Sequence, residues 1–134
     1  MSLEENKTVT RRFLEEAIAQ GNLDVIDTSF APNVVVHYYG TPPHSHASYR
    51  KLIQEFHQAL SDHSFTIHDL IAEGDTVAVR FSYTASKHHG HFGNNPPTGR
   101  SHQLEFTGFL HFEQGKVIEA WWFYEGTSFD LTPT

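Results

Sequence analysis

The last hairpin of the chain is the feature that most constrains its fold. Two long β-rich runs, predicted as strands over Ser101 to Phe112 and Lys116 to Phe129, flank the short turn 113–115. Successive side chains of a strand point to opposite faces of its sheet, so each run divides into two sets. Both sets are rich in apolar and aromatic residues. Both faces of the hairpin are therefore expected to be covered by other protein.

The turn predicts which side chains share a face. Glu113-Gln114-Gly115 fits a three-residue loop with its glycine in the left-handed conformation of a bulge, which places His111 opposite Val117. A two-residue loop would shift the pairing by one residue, and His111 and Glu125 would then lie on different faces of the sheet. In the three-residue register the residues that share one face are His111, Trp121, Phe123 and Glu125.

Upstream of the hairpin the hydrophobic period changes from helical to alternating. Helices are predicted over Glu4 to Gln20, Leu23 to Phe30, and a third segment with Ser48 as a possible N-cap. Strands are predicted over Val34 to Tyr39, Phe65 to Ala72 and Thr76 to Ser86. Helices followed by antiparallel strands predict an α+β domain with the helices on one sheet face.

Composition limits the possible functions. The 134 residues predict one domain over 1–134. A net charge of −7 with scattered Lys and Arg argues against nucleic acid. No stretch approaches the roughly 18 apolar residues of a membrane span, and the N-terminus lacks the features of a signal peptide. We therefore expect a cytoplasmic protein. The absence of cysteine excludes thiol chemistry.

Several motifs carry a family resemblance. The turn 96–100 (Pro-Pro-Thr-Gly-Arg), the step 106–108 (Phe-Thr-Gly) and the run 115–121 (Gly-Lys-Val-Ile-Glu-Ala-Trp) resemble the SnoaL-like polyketide cyclases. The order of elements resembles the nuclear-transport-factor-two-like fold. The resemblance implies a cone-shaped, curved antiparallel or mixed sheet with N-terminal helices on its concave face. It also implies intramolecular aldol cyclisation of a polyketide ester without metal or cofactor.

The resemblance places acid/base chemistry at Glu125, with His111 nearby, although the family's typical residue at position 125 is an aspartate. Enclosure by Trp121 and Phe123 would raise the pKa of the Glu125 carboxyl and suit it to proton transfer. His111 would polarise a carbonyl or hold an enolate oxygen. The alternative for Glu125 is a solvent-exposed side chain without a catalytic role, and the alternative for His111 is a buried ring that hydrogen-bonds to a backbone carbonyl.

Four side chains are predicted to bind substrate: Trp121, Phe123, His37 and Tyr39. His37 and Tyr39 lie on the first predicted strand, and Trp121 is preferred to Trp122 because a regular strand directs the two rings to opposite faces. Arg100 lacks the glycine pattern and following helix of a phosphate site. The histidines at 44, 46, 88, 89 and 91 match neither the HExxH spacing nor a paired Cys/His pattern, and those at 88, 89 and 91 are predicted to lie in a mobile loop. No native metal site is therefore predicted, and adventitious binding is expected.

The sequence thus predicts a cofactor-independent enzyme that acts on a small, largely apolar carbonyl compound. An isomerase or hydrolase would use the same groups, and a ligand-binding or assembly module without catalysis is the alternative from another class. The second apolar face of the hairpin predicts a homodimer, because a two-fold contact would cover it. The sequence does not identify the substrate.

Overall fold

The computed structural model describes residues 2–91, 95–126, 129, 131 and 133. The helices are α1 (Leu3–Arg12), which continues into a π-helical segment (Phe13–Ile18), α2 (Leu23–Ser29) and α3 (His46–Ala59). The strands are β1 (Phe30–Tyr38), β2 (Leu60–Glu73), β3 (Thr76–His88), β4 (His102–Glu113) and β5 (Lys116–Gly126). This order confirms the predicted α+β class. No helix in the described part of the chain has the length and hydropathy needed to cross a membrane.

The third helix begins earlier than the sequence pattern suggested. Ser45, not Ser48, is the N-cap, because Ser45 is extended and its hydroxyl accepts a hydrogen bond from the Ser48 backbone N–H at 3.2 Å. The Ser48 hydroxyl in turn accepts from the Ser45 N–H at 2.9 Å. This reciprocal pair is a capping box, which satisfies two backbone donors that a helix terminus otherwise leaves free.

Two strands begin well before the residues that the sequence predicts. The second helix ends at Ser29, because Phe30 is already extended. β1 therefore begins at Phe30 rather than at Val34. The fourteen-residue strand β2 starts at Leu60, directly after α3, rather than at Phe65. Both differences arise because hydrogen bonding to neighbouring strands extends a strand beyond its apolar run.

The five strands form one mixed sheet in the order β1-β5-β4-β3-β2. β1 runs parallel to β5, and the other neighbouring pairs are antiparallel. We call the face that packs against the helices the inner face and the opposite one the outer face. Alternate residues of β3 and β4 are buried on the inner face and form one core with the helices. Inner-face members of this core include Val77, Val79, Phe81, Tyr83, Leu104 and Leu110.

The last hairpin has a different register from the predicted one. Gln114 and Gly115 both have positive φ, 51° and 80°, and form a two-residue turn between the paired residues Glu113 and Lys116. The register then shifts, so that His111 lies opposite Glu119 rather than Val117. This bulge adds one residue to β5 and restores the alternation that the shorter turn would have reversed. The predicted shared face therefore exists, although the predicted pairing is wrong.

Candidate functional site

An apolar cavity lies between the inner face of the sheet and the helices. Its volume is about 40 Å³, room for a few water molecules, whereas ligand pockets commonly measure about 300–1,000 Å³. A ligand of that size must therefore displace some of the lining side chains. No charged residue lies among the lining residues that the structure describes. The aromatic lining residues are Phe13, Tyr38, Tyr49, Phe56, Phe81, Tyr83, Phe106, Trp122, Tyr124 and Phe129.

One wall of the cavity carries a tyrosine bonded to a histidine. Tyr83 is 1% exposed, and its hydroxyl is hydrogen-bonded to Nδ1 of His63. Nε2 of His63 lies 2.8 Å from the carbonyl oxygen of Leu60, which can only accept, so Nε2 carries a proton. Burial and the neighbouring His57 lower the pKa of His63, which favours the neutral ring. Nδ1 then carries a lone pair, which accepts the hydrogen bond from the Tyr83 hydroxyl.

A second polar group lies where β1, β5 and α3 meet. Tyr38 and Trp122 are paired residues of β1 and β5, and the Tyr38 hydroxyl lies 3.4 Å from that of Tyr49 on α3. Burial raises the pKa of Tyr38 and of Tyr49, so both hydroxyls stay protonated. Nε1 of Trp122 is buried and has no hydrogen-bond partner within normal geometry among the described residues. This cluster is rich in donors.

The C-terminal residues Phe129 and Leu131 close the cavity. The Tyr124 hydroxyl donates to the Phe129 carbonyl at 2.8 Å, and Nε2 of His44 donates to the Leu131 carbonyl at 2.6 Å. Nδ1 of His44 lies 3.1 Å from the Ser48 hydroxyl. His44 is 2% exposed, and burial lowers its pKa. This histidine therefore holds the end of the chain against the helical layer.

A histidine pair lies behind Phe129. His88 and His102 are buried, with 3.2 Å between Nδ1 of the first and Nε2 of the second. The Thr98 hydroxyl lies 2.8 Å from the same Nε2 of His102, and the Phe129 ring contacts both imidazoles. Burial lowers the pKa of both histidines. His88 is thus part of a strand and the core, not of the mobile loop that the sequence suggested. In the described part of the chain, no three His, Cys, Asp or Glu residues are arranged to hold a metal.

The six residues predicted for the site lie away from this cavity. His111, Trp121, Phe123, Glu125 and His37 are on the outer face, and Tyr39 follows β1 with its ring 6.1 Å from that of Phe123. The expectation that Trp121 lines the cavity is therefore corrected: Trp122 does so, because its side of β5 is the one that the helices cover. Glu125 is exposed rather than enclosed by aromatic rings, and it borders a shallow outer groove with Phe123.

The structure brings some of these predicted residues together and separates others. Nε2 of His37 lies 2.7 Å from the Glu119 carboxylate, and its ring stacks on Trp121 at 5.6 Å. His111 is opposite Glu119, and Glu125 follows Glu119 by six positions along β5. At about 3.4 Å per residue this places His111 about 20 Å from Glu125. The two side chains share a face but do not meet at one reacting centre.

Glu125 has a different polar neighbourhood. It lies opposite Glu105 on β4, whose carboxylate accepts a hydrogen bond from Ser82 at 2.5 Å. Ser82 also contacts Nε2 of His68 at 2.6 Å. Directly opposed carboxylates repel each other, so this part of the outer face favours a positively charged group near them.

The sequence reasoning did not identify Tyr83 and His63 as site residues. The alternation of β3 was a usable signal, because Tyr83 continues the apolar set that begins at Val77 and Val79. His63 had no such signal. It precedes the predicted start of its strand, and its contact with Tyr83 depends on the pairing of β2 with β3.

Comparisons with known proteins agree on the family. The family model for SnoaL-like polyketide cyclases matches residues 8–129. The proposed hydroxylase AclR from Streptomyces galilaeus is 28% identical over 92% of this chain and 81% of its own, with a TM-score of 0.79. A proposed polyketide cyclase from Acidithiobacillus ferrooxidans is 25% identical over 93% and 92%, with a TM-score of 0.75.

A third structure extends the range of described activities. An epoxide hydrolase of the LEH-like type from M. tuberculosis is 15% identical over 92% of this chain and 84% of its own, with a TM-score of 0.70, and so shares the fold. The curated proteins gave no match. Because the family model covers most of the chain and the five-stranded mixed sheet with three helices matches these structures, the chain belongs to the SnoaL-like polyketide cyclase family.

Proposed function

We propose that this protein is a cofactor-independent acid/base enzyme that binds a small, largely apolar carbonyl compound in the inner cavity. Ring closure by intramolecular aldol condensation is the reaction that its family membership favours. The observation that carries the proposal is the hydrogen bond from Tyr83 to His63 at the wall of an otherwise apolar cavity. Burial raises the pKa of Tyr83, so its hydroxyl stays protonated in the resting protein. The pair therefore places a hydroxyl, with His63 as the acceptor for its proton, where a bound carbonyl compound would lie.

The reaction follows from the protonation state of this pair. Tyr83 Oη takes a proton from the carbon next to a carbonyl while its own proton passes to Nδ1 of His63. His63 becomes an imidazolium and keeps its other N–H on the Leu60 carbonyl. The enolate then attacks a second carbonyl carbon of the same molecule. The resulting alkoxide takes a proton from Tyr83, and His63 returns its proton to Tyr83, so the enzyme ends in its initial state.

The second candidate site is the outer groove at Glu125. It is supported by the opposed carboxylates of Glu105 and Glu125, which place two acid/base groups side by side in this groove. Isomerisation or water activation at Glu125 would use this groove, with Phe123 and Tyr39 as an apolar platform. His111 would then act elsewhere, because it lies about 20 Å away along β5. A binding protein without catalysis is the remaining candidate.

The two tryptophans distinguish the candidate sites. Trp122 lines the cavity, and Trp121 lies on the outer face, so Trp121→Phe leaves a reporter in the cavity and Trp122→Phe leaves one outside. A panel of aryl ketones and β-keto esters is titrated into both variants. We expect fluorescence changes in Trp121→Phe alone. A response confined to Trp122→Phe would move the binding site to the outer groove.

Catalysis is tested with any compound that binds and turns over. Tyr83→Phe removes the proton-transferring oxygen but keeps the ring, and we expect a loss of kcat of about 10²-fold or more. Glu125→Gln is the matched variant for the outer groove and should retain turnover. Normal turnover in Tyr83→Phe would refute the role of Tyr83, and a loss confined to Glu125→Gln would support the outer site instead.

A further inference from the structure

The donor cluster formed by Tyr38, Tyr49 and Trp122 has one acceptor too few. The Tyr38 hydroxyl donates to the Tyr49 oxygen. The Trp122 N–H also lies close to that oxygen. Both groups lower the pKa of Tyr49 and so offset part of the rise that burial causes. Both donors thus converge on a single oxygen. The Tyr49 proton has no acceptor among the described residues, and the Trp122 N–H makes no hydrogen bond of normal geometry.

An unmet donor at this position is costly. Trp122 is 2% exposed and Tyr49 is 1% exposed, so bulk water does not satisfy either group. Leaving a buried donor unpaired costs about 1–3 kcal/mol, and native proteins rarely retain one without a reason. The three groups come from β1, β5 and α3, so the whole fold maintains their arrangement.

The chemistry of the cluster defines what it binds. The N–H and O–H groups donate hydrogen bonds, so a ligand must present an acceptor to them. The surrounding aromatic side chains favour a ligand that is otherwise apolar. We propose that Trp122 and Tyr49, supported by Tyr38, form a subsite for the carbonyl oxygen of a ketone or ester. This inference rests on the proposed use of the cavity, and it identifies the part of the ligand that the cavity recognises.

The position of the subsite relative to Tyr83 also restricts the ligand. Phe56 lies one ring contact from Tyr83, with 5.4 Å between ring centroids, and it follows Tyr49 by seven residues on α3. Seven residues of helix span about 10 Å. A ligand that reaches both groups must therefore extend along α3 from Tyr49 toward Phe56.

The test uses two probes of similar shape, acetophenone and ethylbenzene, which differ in the carbonyl group. Binding to the full chain is followed by amide chemical-shift titration, and the carbonyl stretch of bound acetophenone is recorded by infrared difference spectroscopy. We expect acetophenone to bind about 2- to 12-fold more tightly, the equivalent of one net hydrogen bond of about 0.5–1.5 kcal/mol. We also expect its stretch to lie below its value in an alkane solvent.

Trp122→Phe and Tyr49→Phe should each reduce this preference and raise the stretching frequency, while Phe106→Leu should change the affinity of both probes together. Two variants are used because either core substitution alone could impair folding, which amide spectra report. Equal binding of both probes, with an alkane-like stretch in the wild type, would overturn the subsite and leave the cavity as the ligand site. Absence of shifts at cavity residues for both probes would overturn the proposed function and the subsite together.

Discussion

The buried histidines make the fold sensitive to mild acid. His44, His88 and His102 are at most 3% exposed, and burial lowers the pKa of each below its usual value near 6.5. In the unfolded chain these side chains take up protons as the pH falls through 6.5, whereas the folded protein resists protonation. Stability is therefore complete above about pH 7 and is lost as the pH falls toward the lowered values.

The size of the effect follows from proton linkage. A histidine that stays neutral in the folded protein loses about 1.4 kcal/mol of stabilisation between pH 7.5 and 5.5. Three such residues give an upper bound of about 4 kcal/mol, and His63 changes stability in the same direction. Because domains are typically stable by about 5–15 kcal/mol, this is a large fraction of the total.

The assay is reversible urea unfolding, followed by far-ultraviolet circular dichroism at pH 7.5, 6.5, 6.0 and 5.5. Low micromolar protein is needed, because the sequence pI of about 5.8 falls within this range. We expect the free energy of unfolding to fall steadily below pH 7. His102→Asn should reduce the total loss by up to about 1.4 kcal/mol, since it removes one titrating group.

The control is Leu52→Ala, which removes apolar packing from a side chain that is 8% exposed and has no titratable group. It should lower stability at every pH by a similar amount and leave the pH dependence unchanged. A free energy of unfolding that is equal at pH 7.5 and 5.5 in the wild type would refute the reasoning. So would an identical pH dependence in the wild type and His102→Asn.

Three further predictions concern packing, capping and assembly. A Cβ at Gly108 would lie 2.2 Å from ring carbons of Trp122, so Gly108→Ala should lower the free energy of unfolding by about 1–3 kcal/mol in urea titrations; an unchanged midpoint would show that the ring yields without cost. Ser45→Ala should lower the free energy of unfolding by about 1 kcal/mol, because it removes the N-cap of α3. Ser101→Ala, at an exposed position, should leave it unchanged, and equal melting temperatures of the two variants would contradict this prediction. We propose that outer-face rings, Phe109 and Phe123 at 42% and 45% exposed, pair two copies of the chain; sedimentation should show a dimer that Phe109→Lys/Phe123→Lys dissociates, and a wild-type monomer would refute the pairing.

Much of the fold was predictable from local patterns. Helical and alternating periods indicated three helices and the antiparallel strands, because each pattern reflects which side chains one element buries. The hairpin was harder. Its turn residues fit both a two-residue and a three-residue loop. The pairing of His111 also depends on a bulge at Ile118, which no local sequence pattern indicates. The parallel pairing of β1 with β5 likewise joins residues far apart in sequence.

The site was less predictable than the fold. The family resemblance directed attention to Glu125 and His111, and their shared face was inferred correctly. The rise per residue of a strand nevertheless places the two side chains about 20 Å apart along the hairpin. Tyr83 and His63 become neighbours only through the pairing of β2 and β3, and the donor cluster combines two distant strands and a helix.

The sequence by itself determined the class of fold, the family and the presence of an apolar interior, because these follow from period, composition and order of elements. It also determined that the last hairpin has two apolar faces. Only the tertiary structure decided which face the helices cover, and hence that Trp122 rather than Trp121 lines the cavity. The physical reason is that alternation sorts side chains into two sets, whereas long-range packing decides which set is enclosed.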